Sequence, residues 1–189
     1  MSAKAGKFKS SFGIFNRLHL HDLPQTTLPL PIQTFLGEEG MTEMGVSLQY
    51  LRPVGPTGRT LTLIAEVTNG ENATQFGGAN SRDPSYLVRG KYFEDVDDES
   101  FMELGATLMV GKSVTNNVHT TNKVFGGDFL YKWRPIRPRG LYSMVVQGEY
   151  FYMNRRDPAV QLERRNAWGS YLLAQIQPYP RWFVGGRYD

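Results

Sequence analysis

The sequence predicts an all-β protein, an antiparallel up-and-down meander of about eight or nine long strands. Apolar residues recur at every second position through most of the chain, which is the periodicity of β-strands. Turn-rich segments separate the alternating stretches, and none of these stretches has the 3.6-residue period of an amphipathic helix. Residues 1–189 are therefore interpreted as one domain without a linker.

Composition excludes several other classes. The chain has 189 residues, 40% of them hydrophobic, but no apolar run approaching the roughly 18 to 20 residues of a transmembrane helix. It has no cysteine, which excludes a disulfide framework, thiolate zinc sites and thiol enzymes. The 21 Lys and Arg against 18 Asp and Glu leave a formal charge of +3, too small an excess to support nucleic-acid binding.

The first three strands are predicted at residues 8–14, 42–52 and 60–68. The first is weak, whereas the second alternates throughout and so has a well-specified register. The third carries one apolar residue, Ile64, on its polar face. One face of the second strand is wholly uncharged and consists of Met44, Val46, Leu48 and Tyr50.

Six further strands complete the prediction. Alternation continues through residues 86–92, 102–110, 125–134, 142–152 and 168–177. A ninth strand begins at Arg181 and stops at Asp189 without a turn. Residues 1–9 lack the apolar stretch of a signal peptide, so we expect a reading frame truncated at one or both ends.

The connections are predicted to alternate between short and long. Short, turn-rich connections are expected at 53–59, 94–99, 135–140 and 178–181, and longer polar ones at 16–41, 69–84, 113–121 and 155–163. Short turns at one rim and long loops at the other are typical of a membrane barrel. The fold is thus expected to be part or all of a transmembrane β-barrel, with a long loop at 16–41 that either enters the lumen or caps it.

The two faces of the strands differ in charge. The uncharged face carries most of the aromatic residues, many near strand ends, as in the aromatic girdles of membrane barrels. Charged residues on the opposite face are candidates for lining a pore, because rings of charge set which ions pass. They are Glu43, Glu66, Arg89, Lys91, Glu103, Asp128, Lys132, Arg134 and Glu149.

These nine candidates admit a second interpretation, in which Asp128 with Lys132, or Glu149 with cross-strand neighbours, only pair inside the wall. Four of the nine are basic and five acidic, which does not favour a strongly anion-selective lumen.

Several stretches resemble bacterial outer-membrane porin-type β-barrels, most closely a poorly characterised group similar in pattern to phosphate-selective porins. They are FGIFNRLHLHDLP (12–24), FLGEEGMTEMGVSL (35–48), VTNGEN (67–72), GGDFLYKWRP (126–135), VVQGEYFYMNRR (145–156) and RWFVGGRYD (181–189). The resemblance implies a channel in the bacterial outer membrane, with the lipid bilayer and small hydrophilic solutes as partners and scope for a homo-oligomer.

No catalytic site or cofactor is expected. His19 and His21 lie two residues apart and could share a metal, with Glu38 and Glu39 completing the site, but two ligands do not make a site and rim packing is the simpler interpretation. His119 near Ser113 and Asn116 invites a hydrolase interpretation, yet no motif fixes a nucleophile to a base.

Two functions from different classes remain open. The first is a porin-like channel for passive or facilitated diffusion of small hydrophilic solutes. The second is a soluble lipocalin-like barrel, in which the uncharged aromatic face would line a dry interior and bind a small apolar ligand. A receptor barrel driven by an energy-coupling partner would need an N-terminal plug domain, which the sequence does not contain.

Overall fold

The computed structural model describes residues 1–18, 25, 27–55, 58–72, 75–76, 83–115, 118–136, 142–157 and 163–189. The side chains of 114, 115, 118, 119, 156, 157 and 163–165 are outside the description. The strands are β1 Ser2–Lys9, β2 Thr42–Pro53, β3 Arg59–Thr68, β4 Ser85–Asp97, β5 Ser100–Thr115, β6 Val118–Trp133, β7 Ser143–Asp157, β8 Glu163–Tyr179 and β9 Trp182–Tyr188. A one-turn 3-10 helix, Phe15–Arg17, and the helix α1, Leu30–Leu36, lie between β1 and β2.

The nine strands form one antiparallel sheet in chain order, which confirms the predicted all-β up-and-down meander. Each strand pairs with its neighbours along the chain, and the ladders among the described residues leave β1 and β9 at the two edges. The strands from β5 to β8 are the longest, because alternation persists beyond the stretches recognised in the sequence. None of the helices in the described part of the chain has the length and apolarity needed to span a bilayer.

The predicted first strand, residues 8–14, is wrong in position. Strand β1 ends at Lys9, and the chain then leaves the sheet and turns across one of its faces. The turn contains Gly13 at φ +61°, a left-handed conformation that suits glycine. The apolar residues that suggested a strand here, Phe12 and Ile14, instead belong to the segment that crosses the sheet.

Two predicted connections also need correction. Residues 113–121 were expected to form a long loop, but β5 continues to Thr115 and β6 starts at Val118, so the strict alternation of long and short connections fails there. Residues 16–41 are more than a loop, because they contain α1 and part of the 3-10 helix. Helix α1 begins with Pro31 near its N-terminus and ends before Gly37, as helices often do.

The described residues of segment 10–41, namely 10–18, 25 and 27–41, pack against one face of the sheet, and we call these residues the insert. The face it packs against is the inner face, and the opposite one is the outer face. The apolar core is built from the insert, from Phe76 and from inner-face side chains, and includes Phe12, Phe15, Ile32, Phe35, Leu36, Met109, Val124, Phe151 and Tyr171.

Candidate functional site

The two faces of the sheet differ in which side chains they bury and which they expose. Charged inner-face side chains are buried, with Glu66 at 2% and Arg89 at 1% exposure, while outer-face residues such as Val88 remain 57% exposed. An ordinary one-sided sheet buries its apolar face and exposes its polar face. The candidate site is therefore the inner face together with the insert.

The base of the insert is closed by hydrogen bonds between its two ends. The Ser10 amide donates to the Met41 carbonyl at 3.0 Å. The buried side chain of Asn16 lies between them, since its Nδ2 donates to the Ser10 carbonyl at 2.7 Å and its Oδ1 accepts from the Met41 amide at 2.7 Å. The first turn of the insert is thus fixed to its last residue.

Two buried carboxylates of the sheet hold the insert by its backbone. Glu66 of β3 accepts from the Ser11 amide at 3.1 Å and from Ser47 Oγ at 3.0 Å. Glu149 of β7 uses one oxygen to accept from the amides of Ile14 at 2.9 Å and Phe15 at 3.0 Å. Both carboxyl groups thereby fix the backbone of the insert to the sheet.

Glu149 has a third donor, the hydroxyl of Tyr171 at 2.7 Å, and Tyr171 also stacks on Phe15 with ring centroids 5.5 Å apart. The carboxylate is thereby held between the strands β7 and β8 and the insert.

Aromatic rings of the insert lie in notches made by inner-face glycines. Phe12 and Phe35 each stack on Phe151, with centroids 5.5 Å away. A Cβ at Gly126 would lie 2.5 Å from the Phe12 ring, and one at Gly169 would lie 3.0 Å from the Phe35 ring. Burying each such side chain stabilises the seated insert by about 1.5–3 kcal/mol.

The far part of the insert is tied to β9. Arg187 Nη1 donates to the Thr27 carbonyl at 2.7 Å and to Gln25 Oε1 at 2.9 Å. The Leu30 amide, at the start of α1, donates to Asp189 Oδ2 at 3.2 Å. The insert is therefore attached at its base, along its first turn and at its helix.

The central charged pair of the inner face joins β4 to β6. Arg89 donates to both carboxylate oxygens of Asp128, at 2.6 and 2.8 Å, and to Thr107 Oγ1 at 2.9 Å. Gly105 lies beneath this pair, and a Cβ there would overlap it. The partner of Asp128 is thus Arg89, and the predicted pair with Lys132 is wrong.

The other candidate charges divide by exposure. Glu43 is buried and accepts from the hydroxyls of Thr68 and Ser85. Lys91 and Glu103 form an ion pair at 3.1 Å, and their side chains remain 19% and 17% exposed. Lys132 is half-buried and Arg134, one residue beyond β6, is exposed. Of the nine candidates, Glu43, Glu66, Arg89, Asp128 and Glu149 are enclosed, and Lys91, Glu103, Lys132 and Arg134 are accessible.

The weaker candidates gain no support. His19 and His21, like Asn116, lie outside the described residues, as does the side chain of His119. Glu38 and Glu39 are in the described part of the insert and are not buried. The described residues contain no group of three or more metal-ligating side chains.

Sequence reasoning missed Asn16, Tyr171 and the seated phenylalanines. The signal available for the phenylalanines was Gly126 and Gly169, which interrupt inner-face positions that would otherwise carry side chains. No sequence signal pairs Asn16 with Met41, 25 residues away.

Gly13 should not tolerate a side chain. Its Cβ would overlap Glu149 Oε2, and its φ of +61° adds strain for any L-residue. We expect Gly13→Ala to lower the free energy of unfolding by about 1–3 kcal/mol, measured by urea titration. Gly127→Ala is the matched control, because its Cβ meets no atom within 4 Å; equal stability of the two variants would contradict the assigned contact.

The comparisons with known proteins assign no family. No family model matches the chain, and no solved structure matches it. A protein of Aquifex aeolicus (strain VF5), known as an uncharacterized protein, is 46% identical over 74 residues. That stretch is 39% of this chain and 15% of the relative, so the match spans only a small part of the relative's length.

Proposed function

We propose that this chain forms part of the wall of a bacterial outer-membrane β-barrel through which small hydrophilic solutes diffuse. The insert narrows the passage. The observation that carries the proposal is the reversed polarity of the sheet, with charges enclosed on the inner face and large apolar side chains exposed on the outer face. Transmembrane strands alternate in this way, apolar toward lipid and polar toward the lumen.

The height of the apolar belt on the outer face supports this function. Each strand from β5 to β8 presents five successive uncharged outer positions, at 102–110, 125–133, 144–152 and 168–176. Eight residue steps at about 3.4 Å span about 27 Å along a strand, or roughly 21 Å across the membrane at a tilt near 40°. This is close to the roughly 25 Å apolar band of outer-membrane barrels.

The residues at the borders of the apolar belt also support the proposed membrane function. The next outer position beyond one end of the belt is polar or charged on all four strands, where Lys112, Lys123, Asn154 and Asn166 stand. Aromatic residues lie near both ends, with Tyr152 and Trp168 at this border and Tyr131 and Trp133 at the other. Aromatic girdles at both interfaces are characteristic of membrane barrels.

The accessible inner-face charges are the solute-facing candidates. Lys91, Glu103 and Lys132 keep access to solvent on the part of the inner face that the insert leaves open. Among the enclosed candidates, Glu66 and Glu149 hold the insert, Arg89 and Asp128 pair with each other, and Glu43 accepts from two hydroxyls of β3 and β4. A passage lined by these groups suits small hydrophilic solutes and would exclude larger ones by its width. Two of the three groups are basic, so the lining has a modest positive excess.

The soluble lipocalin-like alternative is less well supported. It requires the uncharged aromatic face to line a dry interior, whereas Leu104, Tyr150 and Trp168 on that face are 48%, 47% and 71% exposed. No observation among the described residues favours it over the membrane wall.

The proposed function is tested by reconstitution. The chain, refolded in detergent, is added to a planar bilayer and to vesicles loaded with small sugars. We expect stepwise conductance and sugar release that falls with solute size. A cooperatively folded monomer in detergent-free buffer that gives neither conductance nor sugar release would contradict the channel function and favour the soluble binder.

Lys132→Glu tests the solute-facing assignment. The reversal potential in a salt gradient should move toward cation preference, because a positive group on the inner face becomes negative. Lys123→Glu makes the same charge change on the exposed outer side of β6 and should leave the reversal potential unchanged. Equal shifts in both variants would mean that neither group faces the passage.

A further inference from the structure

The first half of the insert is attached through groups that solvent does not reach. Glu66 and Glu149 hold the amides of residues 11, 14 and 15, and Asn16 closes the base. Lifting this half would strip Glu149 of two of its donors while it remains deep in the wall. Only the Tyr171 hydroxyl would then still donate to it, and a buried carboxyl group that loses hydrogen-bond donors is strongly disfavoured.

The second half is attached by apolar contact in addition to its hydrogen bonds with Arg187 and Asp189. Ile32, Phe35 and Leu36 of α1 are at most 3% exposed, and Phe35 stacks on Phe151. The Cβ of Pro31 lies 3.3 Å from the position that a Cβ at Gly169 of β8 would take. Helix α1 therefore sits directly on the strand rather than above it.

From these contacts we infer that the insert is a fixed part of the wall and not a moving gate, so that solutes pass beside it while it stays seated. This inference rests on the proposed channel function for its transport half, and on packing alone for its structural half. Because several large apolar side chains would be uncovered together, the seated form should outnumber any displaced form by roughly a thousand-fold or more.

Thiol labelling tests the structural half without a channel. The chain has no native cysteine, so single cysteines report one position each. Ile32→Cys places a thiol in the buried face of α1, and Thr34→Cys places one on the exposed face of the same helix. In the folded protein we expect a maleimide to react at least a thousand-fold more slowly with the first, and at equal rates with both in denaturant.

A labelling ratio within ten-fold would overturn the inference, because it would mean that α1 leaves the wall frequently. If Ile32→Cys does not fold, Leu36→Cys, which is also fully buried on α1, replaces it in the labelling. The double variant Pro31→Cys/Gly169→Cys tests separately whether α1 lies against β8. The Cβ separation is close to the roughly 3.5–4.5 Å of disulfides, so a fixed insert should form this bond almost completely on mild oxidation. A low yield would contradict a seated helix.

The same double variant tests the transport half. Conductance measured before and after reduction should agree within about 20%, with Pro31→Cys alone as the control for the reductant. A two-fold or larger rise on reduction would show that the insert moves during transport and would overturn the inference. If neither wild type nor variant conducts, yet α1 is protected from labelling, the channel function fails and the fixed insert stands.

Discussion

Leu104→Arg is expected to abolish stable insertion into bilayers. Leu104 lies inside the apolar belt on β5, pairs with Phe129 at the middle of the belt on β6, and is 48% exposed. An arginine at the midplane of a membrane barrel costs about 2–4 kcal/mol, but little near the interface. The folded fraction in vesicles, read from the heat-dependent gel shift of barrels, should fall steeply for Leu104→Arg.

Asn154→Arg is the matched control for this substitution, because Asn154 lies at the border of the belt and should tolerate arginine at a cost of about 0–1 kcal/mol. In a water-soluble protein, Leu104→Arg would not be more harmful than Asn154→Arg. An arginine at exposed Leu104 would then be neutral, since exposed surface substitutions usually change stability by less than about 0.5 kcal/mol. Val146→Arg, at the same belt on β7, provides an independent repeat.

Breaking the Arg89–Asp128 pair should be the most destabilising single change inside the wall. Both side chains are almost fully enclosed. Asp128→Leu therefore leaves a buried guanidinium without its carboxylate, and Arg89→Leu leaves a buried carboxylate without its guanidinium. Removing one partner of a buried ion pair typically costs about 3–5 kcal/mol. We expect each single variant to lose about that much in urea titrations in detergent.

The double variant Arg89→Leu/Asp128→Leu should be more stable than either single variant, because no uncompensated charge is left behind. Additive losses in the double variant would mean that the two groups do not interact. Lys91→Leu/Glu103→Leu is the comparison pair. Its members are 19% and 17% exposed, and its effect should be smaller.

Sequence periodicity predicted the strands well, because alternation is a local property. The alternating apolar residues of β2 pair with apolar residues of β3, such as Val46 with Val67 and Leu48 with Ala65. The sequence prediction made β5 and β6 too short, because the strand ends that face each other carry polar side chains and give no apolar alternation.

The inner face was only partly predictable. Which residues share it follows from period two, so all the enclosed carboxylates were identified. Their partners do not follow, because Arg89 and Asp128 are separated by 39 residues and Glu149 meets Ile14 across 135. Such contacts depend on how the insert crosses the sheet. The alternation of Phe8, Phe12 and Ile14 was misleading, because it predicted a strand where the chain leaves the sheet.

The most direct test of the membrane wall is to measure how deep the outer face lies in lipid. Three single-tryptophan proteins would be compared in vesicles with brominated acyl chains: one keeping Trp168, one keeping Trp182, and one with Leu104→Trp and the native tryptophans replaced by phenylalanine. We predict that the tryptophan at position 104 is quenched most strongly by bromines near the ends of the acyl chains. Trp168 and Trp182 should be quenched most strongly by bromines near the headgroups. Unquenched fluorescence at all three positions, with the chain folded in buffer alone, would contradict a lipid-facing outer surface.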